Sequence, residues 1–214
     1  VTNRKPAGRK QAVTAPPPAT PEPATLRERK KAQTRRAIQQ HALRLFLQQG
    51  FEATTVEEIA AAAGVSHMTF FRYFPSKEEA VIQDDYDPLI EAMICARPAK
   101  EPPIEAIRQV VKELSAQIYA ADRADILARM KLFMQVPDLR ARLWEHGGGT
   151  EQIFTRTIAT RMGYAEDDLR VRVIASACIA AITTALFTWV NSPDTCEMPD
   201  MIDQALRILQ KELR

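Results

Sequence analysis

From Thr25 onward, apolar residues return every three or four positions, and that period predicts helix after helix. Ile38, Ala42, Leu45 and Phe46 share one stripe that Gly50 stops. Thr25 and Glu28 have capping-box spacing at its head, so the first helix runs for about 24 residues. Thr55 and Glu58 open a second helix, with Val56, Ile59, Ala60 and Ala63 as its buried stripe and Gly64 at its end. Ser66 caps a third that reaches Phe74, before Pro75. Ser76 and Glu79 repeat the capping-box spacing and start a fourth toward Ala96, which Pro88 should kink or divide. Beyond Pro98, helices are predicted over 103–121, 123–135, 137–146, 150–162, 166–191 and 199–213. Pro102-Pro103, Gly147-Gly148-Gly149 and Ser192-Pro193 punctuate them, the glycine run as a flexible break. The fold class expected is all-α.

The second and third helices meet the demands of a helix-turn-helix. Ala60 is small where the two helices come closest, Gly64 accepts a left-handed turn, and Val65, Phe70 and Phe74 lock the second helix in place. The remaining side chains of that short helix, Ser66, His67, Met68, Thr69, Phe71, Arg72 and Tyr73, cannot all be buried. A helix led by its N-terminus and carrying such groups fits a DNA major groove. Lys77, and the amides that begin the second and fourth helices behind Thr55 and Ser76, suit phosphates.

Charge sharpens this division. Up to Lys77 the chain has 13 Lys/Arg against 5 Asp/Glu, and after it 16 against 22. A basic front facing a polyanion and an acidic rear with another task follow from that asymmetry. Residues 1–24, rich in proline and nearly free of large apolar groups, read as a disordered basic arm that either touches DNA or only solubilises the chain. No apolar stretch follows its basic residues, so it does not read as a secretory signal. Three widely spaced cysteines, Cys95, Cys178 and Cys196, suit a reducing cytoplasm better than a disulfide framework.

The run from Gly50 to Ala80 resembles the DNA-binding domain of the tetracycline-repressor (TetR) family of bacterial transcription regulators. The motifs that carry it are Gly50-Phe51, Ala53-Thr54-Thr55-Val56, Ile59-Ala60, Gly64-Val65-Ser66, Tyr73-Phe74 and Ser76-Lys77, and the similarity spans about residues 27–80. The resemblance implies that Ser66, His67, Met68 and Thr69 read bases, and that Phe71, Arg72 and Tyr73 grip the backbone or nearby bases. It places Thr54 and Thr55 at the phosphate-side entry to the second helix and Lys77 on a phosphate. The family usually has a tyrosine where this chain has Phe71, so one phosphate contact is missing here.

One recognition helix covers few base pairs, so specificity calls for a second copy. Ala177, Ala181 and Ala185 recur at four-residue spacing on a long uncharged helix, close to Trp189. Ile202, Leu206 and Leu209 make an apolar stripe on the last helix. Two such helices from each subunit would form the four-helix homodimer interface that the resemblance implies. Val173 to Val190 carries no charge, yet its alanines, serine and threonines read as a buried helix and no membrane partner is expected. Met93, Tyr119, Met130, Phe133, Met134, Trp144 and Phe154 are core by periodicity; the resemblance makes them candidates for an effector pocket. Asp125 and Arg129, one turn apart, read as a surface ion pair.

The architecture expected is thus a basic arm (1–24), a three-helix helix-turn-helix DNA-binding domain (25–80) and a helical effector-binding and dimerisation domain (81–214). Its partners are an operator in double-stranded DNA and a small, largely apolar effector, with the fourth helix coupling the two sites. No metal spacing, nucleophile elbow or phosphate loop is present, so neither catalysis nor a cofactor is expected. A weakly specific architectural DNA-binding protein and a cysteine-based redox regulator are the alternatives.

Overall fold

The computed structural model describes residues 25–83, 86–146 and 148–212, the side chains of 143–146 and 148 excepted. The expected arm and the indole of Trp144 lie outside those residues. Every described element is helical: α1 Leu26–Gln49, α2 Val56–Ala62, α3 His67–Tyr73, α4 Glu79–Ile82, α5 Asp87–Ala96, α6 Pro103–Gln135, α7 Pro137–His146, α8 Gly148–Met162, α9 Leu169–Asn191 and α10 Met198–Glu212.

The caps form where side-chain chemistry demands them. Thr25 and Glu28 close a capping box on α1, and Thr55 and Glu58 close one on α2. Ser66 Oγ accepts the Thr69 amide at the head of α3. At the fourth position the outcome differs. Ser76 Oγ accepts the Glu79 amide at 3.4 Å, but residues 77–78 form a turn and α4 begins only at Glu79, whose carboxylate accepts from Gln83 Nε2. The chain then leaves helix at Gln83 and re-enters it at Asp87, with Pro88 in the first turn of α5. The expected division by Pro88 therefore falls ahead of it, because proline disfavours helix in the residues before it and suits a helix start.

The front core is built by Ile38, Ala42, Leu43 and Phe46 of α1 against Phe51, Ile59, Ala60, Phe70, Phe74 and Val81. Phe70 and Phe74 have no exposed surface, and burying each contributes about 2–3 kcal/mol. In the rear, α6 runs between α5, α8, α9 and α10. It bends at Asp122 (φ −154°, ψ 43°), the break the sequence predicts between two helices. Gly148 and Gly149 do not act as a flexible break: they form the first turn of α8. A Cβ on Gly149 would sit 2.2 Å from Asp87 Oδ2, and the Thr150 hydroxyl donates to Asp87 Oδ1 at 2.6 Å, so the glycine permits close approach of α8 to α5.

A buried ionic clasp fixes α10 on α6. Arg108 donates to Asp203 at 2.5 Å and to both oxygens of Glu105, while Arg207 reaches Asp203 at 2.9 Å. The Arg108 guanidinium holds the Glu105 carboxyl down to about 2, well below its ordinary 4.5.

Candidate nucleic-acid interface

Gly64 takes φ +67° between α2 and α3, where Val65 N–H donates to the Ala60 carbonyl at 2.9 Å. Ala60 is 2% exposed at the helix contact. That tight turn, with Phe70 and Phe74 turned inward, leaves the opposite side of α3 to solvent. Met68 is 76% exposed there and Phe71 41%, with Ser66, His67 and Arg72 also exposed and Thr69 and Tyr73 half-buried.

The outward groups are ordered by one another. Ser66 Oγ donates to Thr69 Oγ1 at 2.9 Å, which leaves the Thr69 hydroxyl hydrogen for another acceptor. His67 Nε2 lies 3.1 Å from Glu57 Oε1 of α2, and its ring meets the edge of Phe71. Arg72 stands beside the Tyr73 ring, and the Tyr73 carbonyl accepts from Arg35 of α1. Arg35 also lies over the Phe74 ring at 4.4 Å and donates to Gln83 Oε1, so α1 holds both ends of the segment that follows α3.

Three positions expected to meet phosphate are engaged inside the protein. Thr54 is 1% exposed and its hydroxyl donates to the Gly50 carbonyl at 2.7 Å. Thr55 is exposed, yet its amide and hydroxyl both donate to Glu58. Those two donors hold the Glu58 carboxyl below its usual range, so the acceptor at the start of α2 is already an anion of the chain itself. Lys77 Nζ donates to the carbonyls of Phe51, Thr54 and Glu52 at 2.8, 3.0 and 3.4 Å, above the Phe51 ring. An ammonium has three donors, and all three are used on the turn between α1 and α2. The amides expected to meet phosphate begin short helices, α2 of seven residues and α4 of four.

Of the side chains expected around an effector, Tyr119, Met130, Phe133 and Phe154 are buried in the rear core and Met134 is half-buried. Tyr119 packs edge-on against Trp189. Met93 does line an opening, of about 350 Å³, beside Pro98 and Val110. A larger groove of 460 Å³ lies between α5 and α8. Its floor includes Ile94 and Ile153, and Thr157, Thr160, Arg156 and Arg161 edge it. The sequence carried no signal for this groove, because its residues come from two helices that no spacing relates. Arg161 donates to the carbonyls of Ile94, Pro98 and Glu101, bracing the end of α5, and Arg156 pairs with Glu91 at 2.8 Å.

Asp125 and Arg129 form no ion pair among the described residues. They line a cleft with Arg36, Gln39 and Gln40 of α1, between front and rear, and Asp122 beside them is raised above the ordinary range by burial and by Asp125. Of the alanines expected at a dimer contact, Ala185 is 3% exposed and Ala177 and Ala181 are half-buried. Trp189, Ile202 and Leu206 are buried in this chain's own core and Leu209 is half-buried. A side chain with no surface left in one chain cannot touch a second. The face that remains open on α9 instead carries Val173, Ala180, Thr184 and Thr188, and Ile208 of α10 is exposed as well. By length and composition α9 could cross a membrane, yet it packs on α6, α8 and α10 with 28% of its most apolar stretch buried.

A helix-turn-helix joined to an all-helical rear half is the architecture of a DNA-binding regulator of transcription. Residues 38–82 match the family described as bacterial regulatory proteins, tetR family, and residues 101–214 match the MftR C-terminal domain. TcmR of Streptomyces glaucescens, an HTH-type transcriptional regulator, is 35% identical over 83% of this chain and 82% of its own. MftR of Mycobacterium tuberculosis (strain ATCC 25618 / H37Rv) is 24% identical over 76% and 83%. The chain belongs to the TetR family of transcription regulators. Its fold is also that of the regulator FadR from Bacillus subtilis, solved with stearoyl-CoA, at a TM-score of 0.58 and 20% identity over 81% of this chain and 96% of that one.

Proposed function

We propose that this regulator is a cytoplasmic repressor that binds a palindromic operator as a homodimer and releases it when a small, largely apolar effector occupies its rear half. The observation that carries the reading is the outward face of α3, where Ser66, His67, Met68 and Thr69 stand exposed or half-exposed on a helix anchored inward by Phe70 and, just past its end, Phe74. Those four side chains read base edges, and Phe71, Arg72 and Tyr73 meet the adjoining backbone. Residues 25–80 carry DNA binding, and 81–214 carry the effector site and the dimer contact.

The open face of α9 supports the dimer. It is long, uncharged and made of small side chains, and a second copy of the same face would cover it. The α5–α8 groove supports an effector with an apolar body and a polar end, given its isoleucine floor and the threonine Thr160 at its edge. Coupling runs through Gln83 at the end of α4 and not along one continuous helix. There the Gln83 carbonyl accepts from Gln39 of α1 at 2.7 Å, so a shift of α5 pulls on the helix that supports α3.

Selection of genomic fragments by purified protein at about 150 mM salt, where phosphate contacts alone bind weakly, tests the reading. A short inverted repeat, lost in Thr69→Ala and Arg72→Ala, is the expected result. Enrichment of no sequence, with binding that fades steeply as salt rises, favours an architectural DNA-binding protein instead.

A further inference from the structure

We infer that the cleft between the first turns of α1 and the end of α3 is a phosphodiester-binding site, gripping the DNA backbone beside the groove that α3 enters. The inference rests on the regulator reading for its partner, and on four observations for its chemistry. First, α1 is longer than its packing requires. Its buried residues begin at Ile38, and every residue from Leu26 to Gln33 is exposed, so about 12 Å of helix stands clear of the core. Second, Arg27, Lys30, Lys31 and Thr34 fall at i, i+3, i+4 and i+7, which puts three cations and a hydroxyl on one stripe. Like charges at that spacing repel and weaken an unpacked helix end, which is already marginal in water.

Third, the stripe faces Arg72 and Tyr73 at the end of α3 across an open cleft of 730 Å³. Among the described residues, Arg27, Lys30, Lys31 and Arg72 form no ion pair, and no acid lines the cleft. Fourth, the one acidic group of that turn, Glu28, is turned away to Thr25, accepting from its amide at 2.7 Å and its hydroxyl at 2.9 Å. A four-cation cleft whose wall is the recognition helix itself meets the sugar-phosphate chain whenever α3 is seated in a groove. It adds affinity and register without adding base discrimination.

The test compares the wild-type chain with Arg27→Gln/Lys30→Gln/Lys31→Gln, glutamine having nearly the helix propensity of the residues it replaces. Affinity for a duplex is read by fluorescence anisotropy across a salt series. Each lost phosphate contact reduces the slope of log affinity against log salt by about 0.9, so three lost contacts mean that the wild type loses about 40-fold more affinity than the variant between about 50 and 200 mM. The ratio of operator to random affinity stays unchanged. Parallel slopes overturn the proposal. Should the variant lose α1 helicity by circular dichroism, the wild type on duplexes with uncharged methylphosphonates flanking the half-site decides, since unchanged affinity there overturns it equally. Competition by inorganic phosphate or anionic vesicles, with no slope difference on DNA, overturns it in favour of another anion. A wild type that selects no sequence sinks the regulator reading alone, because the slope comparison on random duplex still decides the cleft.

Discussion

Lys77 looks like a phosphate contact in the sequence and acts as a brace in the structure, and the two roles separate by salt dependence. Lys77→Met should lower operator affinity and melting temperature while leaving the salt slope as it was, since the ammonium is held by three backbone carbonyls. Arg72→Gln, which removes an exposed cation with no ion pair, should reduce the slope by about 1. A slope change in Lys77→Met equal to that in Arg72→Gln would return the lysine to the DNA surface. Gly64 gives a second residue-level expectation. A Cβ there meets nothing within 4 Å, so the cost of Gly64→Ala is the left-handed backbone alone, about 1–2 kcal/mol in denaturant unfolding.

At the scale of elements, α10 depends on the clasp that Arg108, Asp203 and Glu105 make with it. Asp203→Ala takes from the buried guanidinium one of its two carboxylate partners, Glu105 remaining, and should cost about 1.5–3 kcal/mol. Replacing both Arg108 and Asp203 by apolar residues should recover most of that, because the pair's mutual attraction little exceeds its desolvation. Acid should weaken the same clasp. A carboxylate whose folded pKa is depressed stabilises the fold above its ordinary value and ceases to do so as pH falls through the folded one. Glu105 therefore contributes fully above pH 4.5, at most about 3 kcal/mol, and loses that contribution toward pH about 2. Acid unfolding of Glu105→Gln should lack the corresponding slope.

At the scale of the whole molecule, the proposed function requires two copies to pair. Ala180→Glu with Thr184→Glu puts charge on the open face of α9 and touches nothing in the core. Sedimentation should then show a monomer, and operator affinity should fall about 100-fold or more with the loss of the second half-site. A variant that stays dimeric would move the interface elsewhere. Filling the α5–α8 groove by Thr160→Trp should abolish the effector response and leave operator binding intact.

The sequence alone determined the all-helical class, the caps at Thr25, Thr55 and Ser66, the turn at Gly64 and the division of α3 into Phe70 and Phe74 within and Ser66 to Thr69 without. Each of these rests on residues a few positions apart, where period, cap chemistry and glycine conformation act locally. Tertiary structure decided what local chemistry leaves open. α9 carries no charge from Val173 to Val190, so its period does not say which side enters the core, and Trp189 and Ala185 went inward while Ala180 and Thr184 stayed outside. Lys77 could reach either a phosphate or the turn at 51–54, and only the approach of α4 to that turn chose. The groove between α5 and α8 joins residues about sixty positions apart, a distance across which no sequence pattern carries, because such contacts exist only once the chain has folded.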